Sequence, residues 1–226
     1  MLEEPSLDPR RAALDKALAK AIANRVAAGS STAPDVEALA LRHALAHAVT
    51  PAEEAMVHAV WGRIAAQGSP PLVVSGAAAS LLAADRFGLA MRPAASAEAA
   101  LAEAVGGARA LIDIGGVWWA RLLAQPDVRV IAALPDDQRS LPRALMIARA
   151  QPGPTGDDRT FWVTDSPAPD DRIVSALGEV GLAATPLAAH GGLKLFVLAG
   201  YVQAEDGRLA SAPGTLNGVI GAAPLF

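Results

Sequence analysis

The chain has 226 residues, of which 52% are hydrophobic but only 4% are aromatic, so its apolar content is mainly Ala, Leu and Val. Its 19 basic and 23 acidic side chains leave a formal net charge of −4. This balance argues against nucleic-acid-binding proteins and polybasic membrane-surface proteins, which need a basic surface. Cysteine is absent, which excludes disulfides, thiolate catalysis, Cys-ligated zinc and iron–sulfur clusters.

The first eleven residues are charged and lack the apolar segment of a signal peptide. No apolar run reaches the roughly 18 residues that a membrane-spanning helix needs. We therefore expect a cytoplasmic protein that has neither a membrane nor a nucleic acid as its partner.

Residues 7–67 have the apolar spacing of helices. Asp8 is a suitable N-cap for a first helix, Pro9 a suitable first helical residue, and Gly29 a suitable end. Apolar side chains recur at every fourth position of this helix, at Leu14, Leu18, Ile22 and Val26.

Two further helices follow. One is predicted from about Asp35 to Ala48, and Thr50-Pro51-Ala52-Glu53 has the pattern of a capping box that begins another, ending near Gly68. Residues 1–69 are therefore predicted to form a three-helix module. Apolar residues occupy more than one face, with Val36 opposite Leu41 and Leu45, so we expect a homodimer through this module.

The spacing changes at Pro70-Pro71, where short apolar runs begin to alternate with helical segments. This alternation predicts a mixed α/β region with a mainly parallel sheet over residues 70–153. The predicted strands are Leu72–Val74, 110–114, 128–134 and 144–148, and the predicted helices are 77–87 and 96–105.

Residues 151–158 form a linker rich in Pro and Gly, and residues 154–226 are predicted as a third region. There a strand, a helix and two strands follow in the order β-α-β-β, which is typical of a small ferredoxin-like unit. Their predicted ranges are 160–164, 170–180, 183–188 and 193–202, and residues 208–226 show little pattern beyond turns.

Few residues carry a chemical signal of their own. His43 and His47 lie one helical turn apart but have no obvious third ligand, so no metal site is predicted. Gly115-Gly116 follows a strand and suits either a ligand's approach or a plain turn. Trp118 and Trp119 cannot both point inward from a regular strand, so we expect either that one of them lines a cleft or interface, or that one lies in the core and the other is half-exposed. Arg159 and Thr160, where the linker meets a strand, suit either an anionic ligand or a capped loop.

The helical part resembles the all-helical chorismate mutases. The segments that carry this resemblance are Ile22-Ala23-Asn24-Arg25, Pro34-Asp35-Val36-Glu37-Ala38-Leu39 and Val60-Trp61-Gly62-Arg63-Ile64. The resemblance implies that Arg25 binds a substrate carboxylate and that Glu37 orients a hydroxyl, with Arg11 and Gln67 as further substrate-binding residues. It implies no cofactor, because the rearrangement of chorismate to prephenate is pericyclic.

The following part is similar to the prephenate dehydratases. The matching segments are 77–88 and 96–114, with Asp158-Arg159-Thr160-Phe161 near the dehydratase N-x-T-R-F motif and an ACT-like end after it. The resemblance implies that Arg159 and Thr160 bind a substrate.

Departures from both families leave the function open between three alternatives. Val36 replaces an expected Arg of the mutases, and the Thr-Arg order of the dehydratases is inverted at Arg159-Thr160. We therefore expect a chorismate mutase-type isomerase of aromatic amino-acid biosynthesis with a degraded site, an inactive regulatory relative that binds an aromatic effector, or a dehydratase-like protein. In each case the partner is a small molecule.

Overall fold

The computed structural model describes residues 8–29, 31, 33–67 and 70–226. The three predicted helices are confirmed as α1 (Pro9–Ala28), α2 (Pro34–Leu45) and α3 (Pro51–Gln67). The predicted caps of α1 are confirmed too, because the Asp8 side chain accepts a hydrogen bond from the Arg10 amide at 3.0 Å and Gly29 ends the helix with φ 69°. The predicted end near Gly68 lies outside the described residues. The helices pack through a small cluster that includes Ala21, Leu41, Val57 and Trp61.

The apolar stripe of α1 does not face this cluster. Only Ala21 and Arg25 of α1 are buried, whereas Leu14, Leu18, Ile22 and Val26 are 40–68% exposed. The small Ala21 lets α1 lie close to its neighbours, and the larger apolar residues of the same helix point away from them.

The rest of the chain forms one sheet of nine strands in the order β2-β1-β3-β5-β4-β9-β6-β8-β7. The strands are β1 (Leu72–Ser75), β2 (Arg92–Pro93), β3 (Arg109–Asp113), β4 (Arg129–Leu134), β5 (Ala144–Ala148), β6 (Asp158–Thr164), β7 (Ala184–His190), β8 (Leu193–Ala199) and β9 (Asn217–Pro224). The helices between them are α4 (Ala77–Phe87), α5 (Ala97–Val105) and α6 (Asp170–Glu179).

The chain is therefore mixed α/β, as predicted, but the mainly parallel sheet expected over residues 70–153 is wrong, because two of the four strand pairings there are antiparallel. Only β1 with β2, β1 with β3, and β4 with β9 run parallel, and the other pairings are antiparallel. The physical reason is that β4 and β5 are joined by a short loop instead of a crossover helix, so β5 returns antiparallel between β3 and β4.

The β-α-β-β order of the C-terminal part is present as β6, α6, β7 and β8, whereas β9 was not expected from the sequence. β9 pairs antiparallel with β6 from Asn217 to Pro224 and parallel with β4 at Gly221 and Val130. Gly221 has φ +140°, and a Cβ there would lie 2.4 Å from the Val130 backbone. This close approach of two backbones requires glycine.

The two adjacent tryptophans correct a second expectation. Trp118 and Trp119 lie in a 3₁₀-helix (Trp118–Ala124) instead of a strand, and both are fully buried. Their indole N–H groups donate to the carbonyl oxygens of Asp113 (2.7 Å) and Ile114 (3.2 Å). Neither tryptophan is therefore available to line a cleft.

Within the described part of the chain, no helix combines the length and the apolar character needed to cross a membrane. The predicted region boundaries at residues 69/70 and 153/154 stay predictions. The sheet nevertheless continues across the second of them, because β9 lies between β4 and β6.

Candidate functional site

A cavity of about 740 Å³ lies between the helical module and the sheet, and we call it the helix–sheet cleft. Helices α1, α2 and α3 form one wall and strands β4 and β5 form the other, and Phe226, just after the end of β9, also lines the cavity. Apolar side chains make most of the lining, including Trp61, Phe87, Met146 and Phe226. Such an apolar enclosure with a few polar groups is typical of small-molecule sites.

Arg25 and Glu37 form an ion pair in the wall of this cleft. Arg25 is only 3% exposed, and its Nη2 lies 3.3 Å from each carboxylate oxygen of Glu37. Its Nη1 donates to the Gly29 carbonyl, and its Cζ lies 5.0 Å from the centroid of the Trp61 ring. The Arg25 Nε atom is buried and has no acceptor among the described residues.

The Glu37 carboxylate accepts two further hydrogen bonds. The Ser31 amide donates to Oε1 at 2.8 Å, and the Trp61 indole N–H donates to Oε2 at 3.2 Å. One carboxylate of α2 therefore contacts α1, the segment between α1 and α2, and α3. This arrangement places the Trp61 ring beside the Arg25 guanidinium, at the cleft surface.

A second ion pair lies at another part of the lining. Arg86, near the end of α4, pairs with Asp136 at 2.6 Å and also contacts His58 Nδ1. Burial lowers the pKa of Arg86, and the charge of Asp136 opposes this effect. The neighbouring Phe226 ring packs edge-on against His58, with 5.7 Å between the ring centroids.

Arg109, at the start of β3, is the lining cation without an ion pair among the described residues. Its Nε donates to the Pro70 carbonyl and its Nη2 to the Ala65 carbonyl, both at 3.1 Å. Burial lowers the pKa of Arg109, although Glu37 is near enough for its charge to oppose this effect. The remaining lining cation, Arg149, is half-exposed and lies 3.6 Å from Asp127.

The cleft unites three of the six residues proposed from sequence. Arg25, Glu37 and Gln67 line it, whereas Arg11 is exposed on the first turns of α1 and is not part of the lining. Arg42 of α2 is not part of the lining and donates to the Asp157 and Leu225 carbonyls at 3.1 and 2.8 Å. It holds the end of β9 against α2.

Arg159 and Thr160 lie in β6, outside the cleft lining. Arg159 is 4% exposed and donates to the carbonyl oxygens of Pro135, Asp137 and Ser140. The Thr160 hydroxyl donates to the Gly200 carbonyl and accepts from the Val202 amide, both at 2.8 Å. These backbone contacts agree with the capped-loop interpretation, while the buried Arg159 Nε atom has no acceptor among the described residues. The anionic-ligand interpretation of the pair stays a prediction.

The histidine pair and the Gly115-Gly116 turn lie outside the cleft lining. Among the described residues, no group of three His, Asp or Glu side chains could hold a metal ion. His47 Nδ1 contacts the His43 carbonyl at 2.8 Å, and the two rings meet edge-on. At Gly115 and Gly116 an added Cβ would meet nothing within 4 Å, so this turn is open and unconfined.

Sequence reasoning missed Arg86, Asp136 and Arg109 as cleft residues. Arg86 and Arg109 lie in the segments 77–88 and 96–114 that carry the dehydratase resemblance, but the resemblance gave them no role. The three residues come from a helix end, a loop and a strand that only the fold brings together. The single sequence signal for any of them was the position of Arg109, which is the first residue of a strand and comes shortly after the end of a predicted helix.

No protein-family model matches the chain, and no curated protein matches it. A solved structure described as a novel type of quorum-quenching acylase, GqqA, is similar to it with a TM-score of 0.45 and 16% identity. The similarity covers 69% of this chain and 95% of that one. Its acylase activity is a property of that protein.

The matched structure is described as an acylase and not as a chorismate mutase or a prephenate dehydratase, so the comparison gives no support to the family terms expected from the sequence. The resemblance to these two families, and the isomerase activity that it implies, stay predictions. Arg159 and Thr160 bond to backbone, and protein donors surround Glu37.

Proposed function

We propose that the chain binds a small organic acid in the helix–sheet cleft. In this arrangement the ligand's carboxylate lies at Arg109, and its flat apolar body packs against Trp61 and Phe226. Of the alternatives left open by the sequence, this is the ligand-binding one. It implies an aromatic carboxylate as the class of small-molecule partner.

The observation that carries this proposal is that Arg109 has no ion-pair partner among the described residues. The other arginines of the lining have a carboxylate within 4 Å, whereas Arg109 has only neutral carbonyl acceptors within the described residues. A partly buried cation in an apolar cleft is costly without a counter-ion, and a ligand carboxylate supplies one. A charge-assisted hydrogen bond in such a site contributes about 1.5–3 kcal/mol.

The proposed preference for aromatic ligands rests on the apolar side chains of the two cleft walls. Trp61 and Phe226 present ring surfaces, and Ile131 and Met146 of β4 and β5 lie across the cavity. Burying an aromatic ring there removes apolar surface on both sides from water, at about 25 cal/mol per Å². A polar ligand with the same charge as an aromatic carboxylate does not gain this free energy from the apolar walls.

Calorimetric titration with 3-phenylpropionate and its neutral amide tests the proposal. The two molecules have nearly the same shape and differ in charge, so we expect the carboxylate to bind at least about tenfold more tightly. Equal affinity for the two compounds would contradict a site built around Arg109, and so would the absence of binding by aromatic carboxylates.

Arg109→Met provides the matched variant. It keeps an unbranched side chain that fills most of the same stem volume but removes the charged guanidinium, so the affinity for 3-phenylpropionate should fall about 10–100-fold while the amide is unaffected. Arg11→Met is the control, because Arg11 is exposed on α1 and outside the lining. Thermal melts of both variants show whether the loss of the Pro70 and Ala65 hydrogen bonds unfolds the protein.

We also propose that β6 to β9 form an ACT-like unit in topology only. Its support is the order β6, α6, β7, β8, a 3₁₀-helix (Gly207–Ser211) and β9, with the strands arranged β9-β6-β8-β7. This arrangement has the chain order of a ferredoxin-like unit with a short second helix.

A further inference from the structure

The Glu37 carboxylate is saturated by donors from the protein itself. Oε1 accepts from the Ser31 amide at 2.8 Å and Arg25 Nη2 at 3.3 Å, and Oε2 accepts from the Trp61 indole at 3.2 Å. A carboxylate offers about four lone-pair positions, and these contacts occupy most of them. Although Glu37 belongs to the cleft lining, little accepting capacity is left for a ligand.

The three donors arrive from separate elements. Arg25 belongs to α1, Ser31 to the segment between α1 and α2, and Trp61 to α3, while Glu37 stands in the first turn of α2. The carboxylate thus fixes the Arg25 guanidinium and the Trp61 ring against each other, 5.0 Å apart. The charge of Arg25, which is 3% exposed, is also compensated by Glu37.

We infer that Glu37 is a positioning residue of the helix–sheet cleft: it orients Trp61 and Arg25 toward the ligand and does not touch the ligand itself. The orientation of the two side chains rests on the contacts above, and the consequence for ligand affinity rests on the proposed function. The role differs from the hydroxyl-orienting role that the sequence resemblance implied for Glu37.

Glu37→Gln tests the inference with little change of shape. A primary amide accepts on one side only and donates on the other, so it cannot accept from both the Ser31 amide and the Trp61 indole. In the ligand-free protein, the indole ¹⁵N–¹H signal of Trp61, assigned with Trp61→Phe, should move while those of Trp118, Trp119 and Trp162 stay in place. The affinity for 3-phenylpropionate should fall about tenfold.

Two variants serve as references. Glu54→Gln makes the same chemical change at an exposed position of α3 and should alter neither the Trp61 signal nor the affinity. Glu37→Asp keeps the charge on a shorter side chain and should recover part of both. If the Trp61 signal and the affinity recover in part in Glu37→Asp but not in Glu37→Gln, the charge of Glu37 positions the side chains. This result distinguishes positioning by charge from a general packing defect.

The outcomes separate the inference from the proposed function. An unmoved Trp61 signal in Glu37→Gln overturns the inference, whatever binds. A moved signal with unchanged affinity overturns the ligand-related part. Lost affinity with an unmoved Trp61 signal indicates that Glu37 contacts the ligand directly, and this result also overturns the inference. If the wild-type protein binds no aromatic carboxylate, the proposed function fails, but a moved Trp61 signal still supports the positioning role.

Discussion

The arginines of this chain differ in the kind of acceptor that each one meets. Arg42 and Arg159 donate to backbone carbonyls of distant segments, so they hold loops and strand ends together. Arg25 and Arg86 meet carboxylates in the cleft, and Arg109 meets carbonyls at its rim. Arg109 also donates to carbonyls, but it differs from Arg42 and Arg159 because it lines the cleft. It differs from Arg25 and Arg86 because no carboxylate pairs with it among the described residues.

Arg159→Met should therefore lower stability without affecting ligand binding. The substitution leaves the carbonyls of Pro135, Asp137 and Ser140 without their buried donor, at a cost of about 3 kcal/mol in the free energy of unfolding. Urea unfolding measures the change, and Arg172→Met, at an exposed position of α6, is the control. A variant that keeps full stability but loses affinity for aromatic carboxylates would restore Arg159 to the binding site.

From the sequence, Arg25, Glu37 and Gln67 were proposed as site residues only through the resemblance of the helical part to the chorismate mutases. The sequence could not separate Arg159 from them, because the acceptors of Arg159 belong to residues 135–140, in a loop some twenty positions upstream. Nothing local indicates that a folded loop will turn its carbonyls toward that guanidinium.

At the scale of elements, the helices were predictable because their signals are local. Caps, prolines at first helical positions and a terminal glycine define α1, and the capping-box pattern defines the start of α3. β9 was not predictable, because its glycines, alanines and proline have low strand propensity. It forms a strand because β4 and β6 provide hydrogen-bonding partners on both sides.

The contact between α3 and α4 depends on Gly62. A Cβ at this position would lie 2.0 Å from the Arg86 carbonyl oxygen, so Gly62→Ala must separate the helices and should destabilise the protein by about 1–3 kcal/mol. Gly178→Ala in α6, where an added Cβ meets nothing within 4 Å, should instead be neutral or stabilise by up to about 1 kcal/mol. Thermal unfolding of the two variants compares them directly, and equal melting temperatures would contradict the close contact.

We propose that the homodimer expected from the sequence forms through α1. Its apolar stripe from Leu14 to Val26 is 40–68% exposed, and pairing with a second copy would cover it. Leu18→Glu should therefore convert a dimer to a monomer in light scattering. Leu89→Glu, at a residue that is 88% exposed outside the module, should leave the mass unchanged. A monomeric wild-type protein would refute the proposal.

At the scale of the whole molecule, β9 connects the two parts of the sheet. Gly221→Ala should destabilise the protein by about 3 kcal/mol, because the new Cβ meets the Val130 backbone at 2.4 Å and the φ of +140° is strained for alanine. Gly218→Ala in the same strand meets only the flexible end of Leu123 at 2.9 Å and should cost less than about 1 kcal/mol. Chemical denaturation measures both, and similar costs for the two variants would contradict this account of the strand contact.

The mixed α/β class of the whole chain and the helices of its N-terminal part were predictable from the sequence. The order of the strands in the sheet was not. Alternating periodicity identifies elements but does not tell which strands become neighbours, and here β5 lies between β3 and β4. The cleft depends on that order, because Ile131 and Met146 line it from adjacent strands.

The central place of β9 has a consequence for biosynthesis. A nascent chain that has just completed β6 still lacks the 60 residues from 165 to 224 that end in β9. At translation rates of about 5–20 residues per second, this interval lasts roughly 3–12 seconds. Throughout it, β4 and β6 each present an unpaired strand edge, the kind of surface that promotes aggregation. Chaperone demand during synthesis should therefore be concentrated in this interval, and slower translation of residues 165–224 should lower the soluble yield.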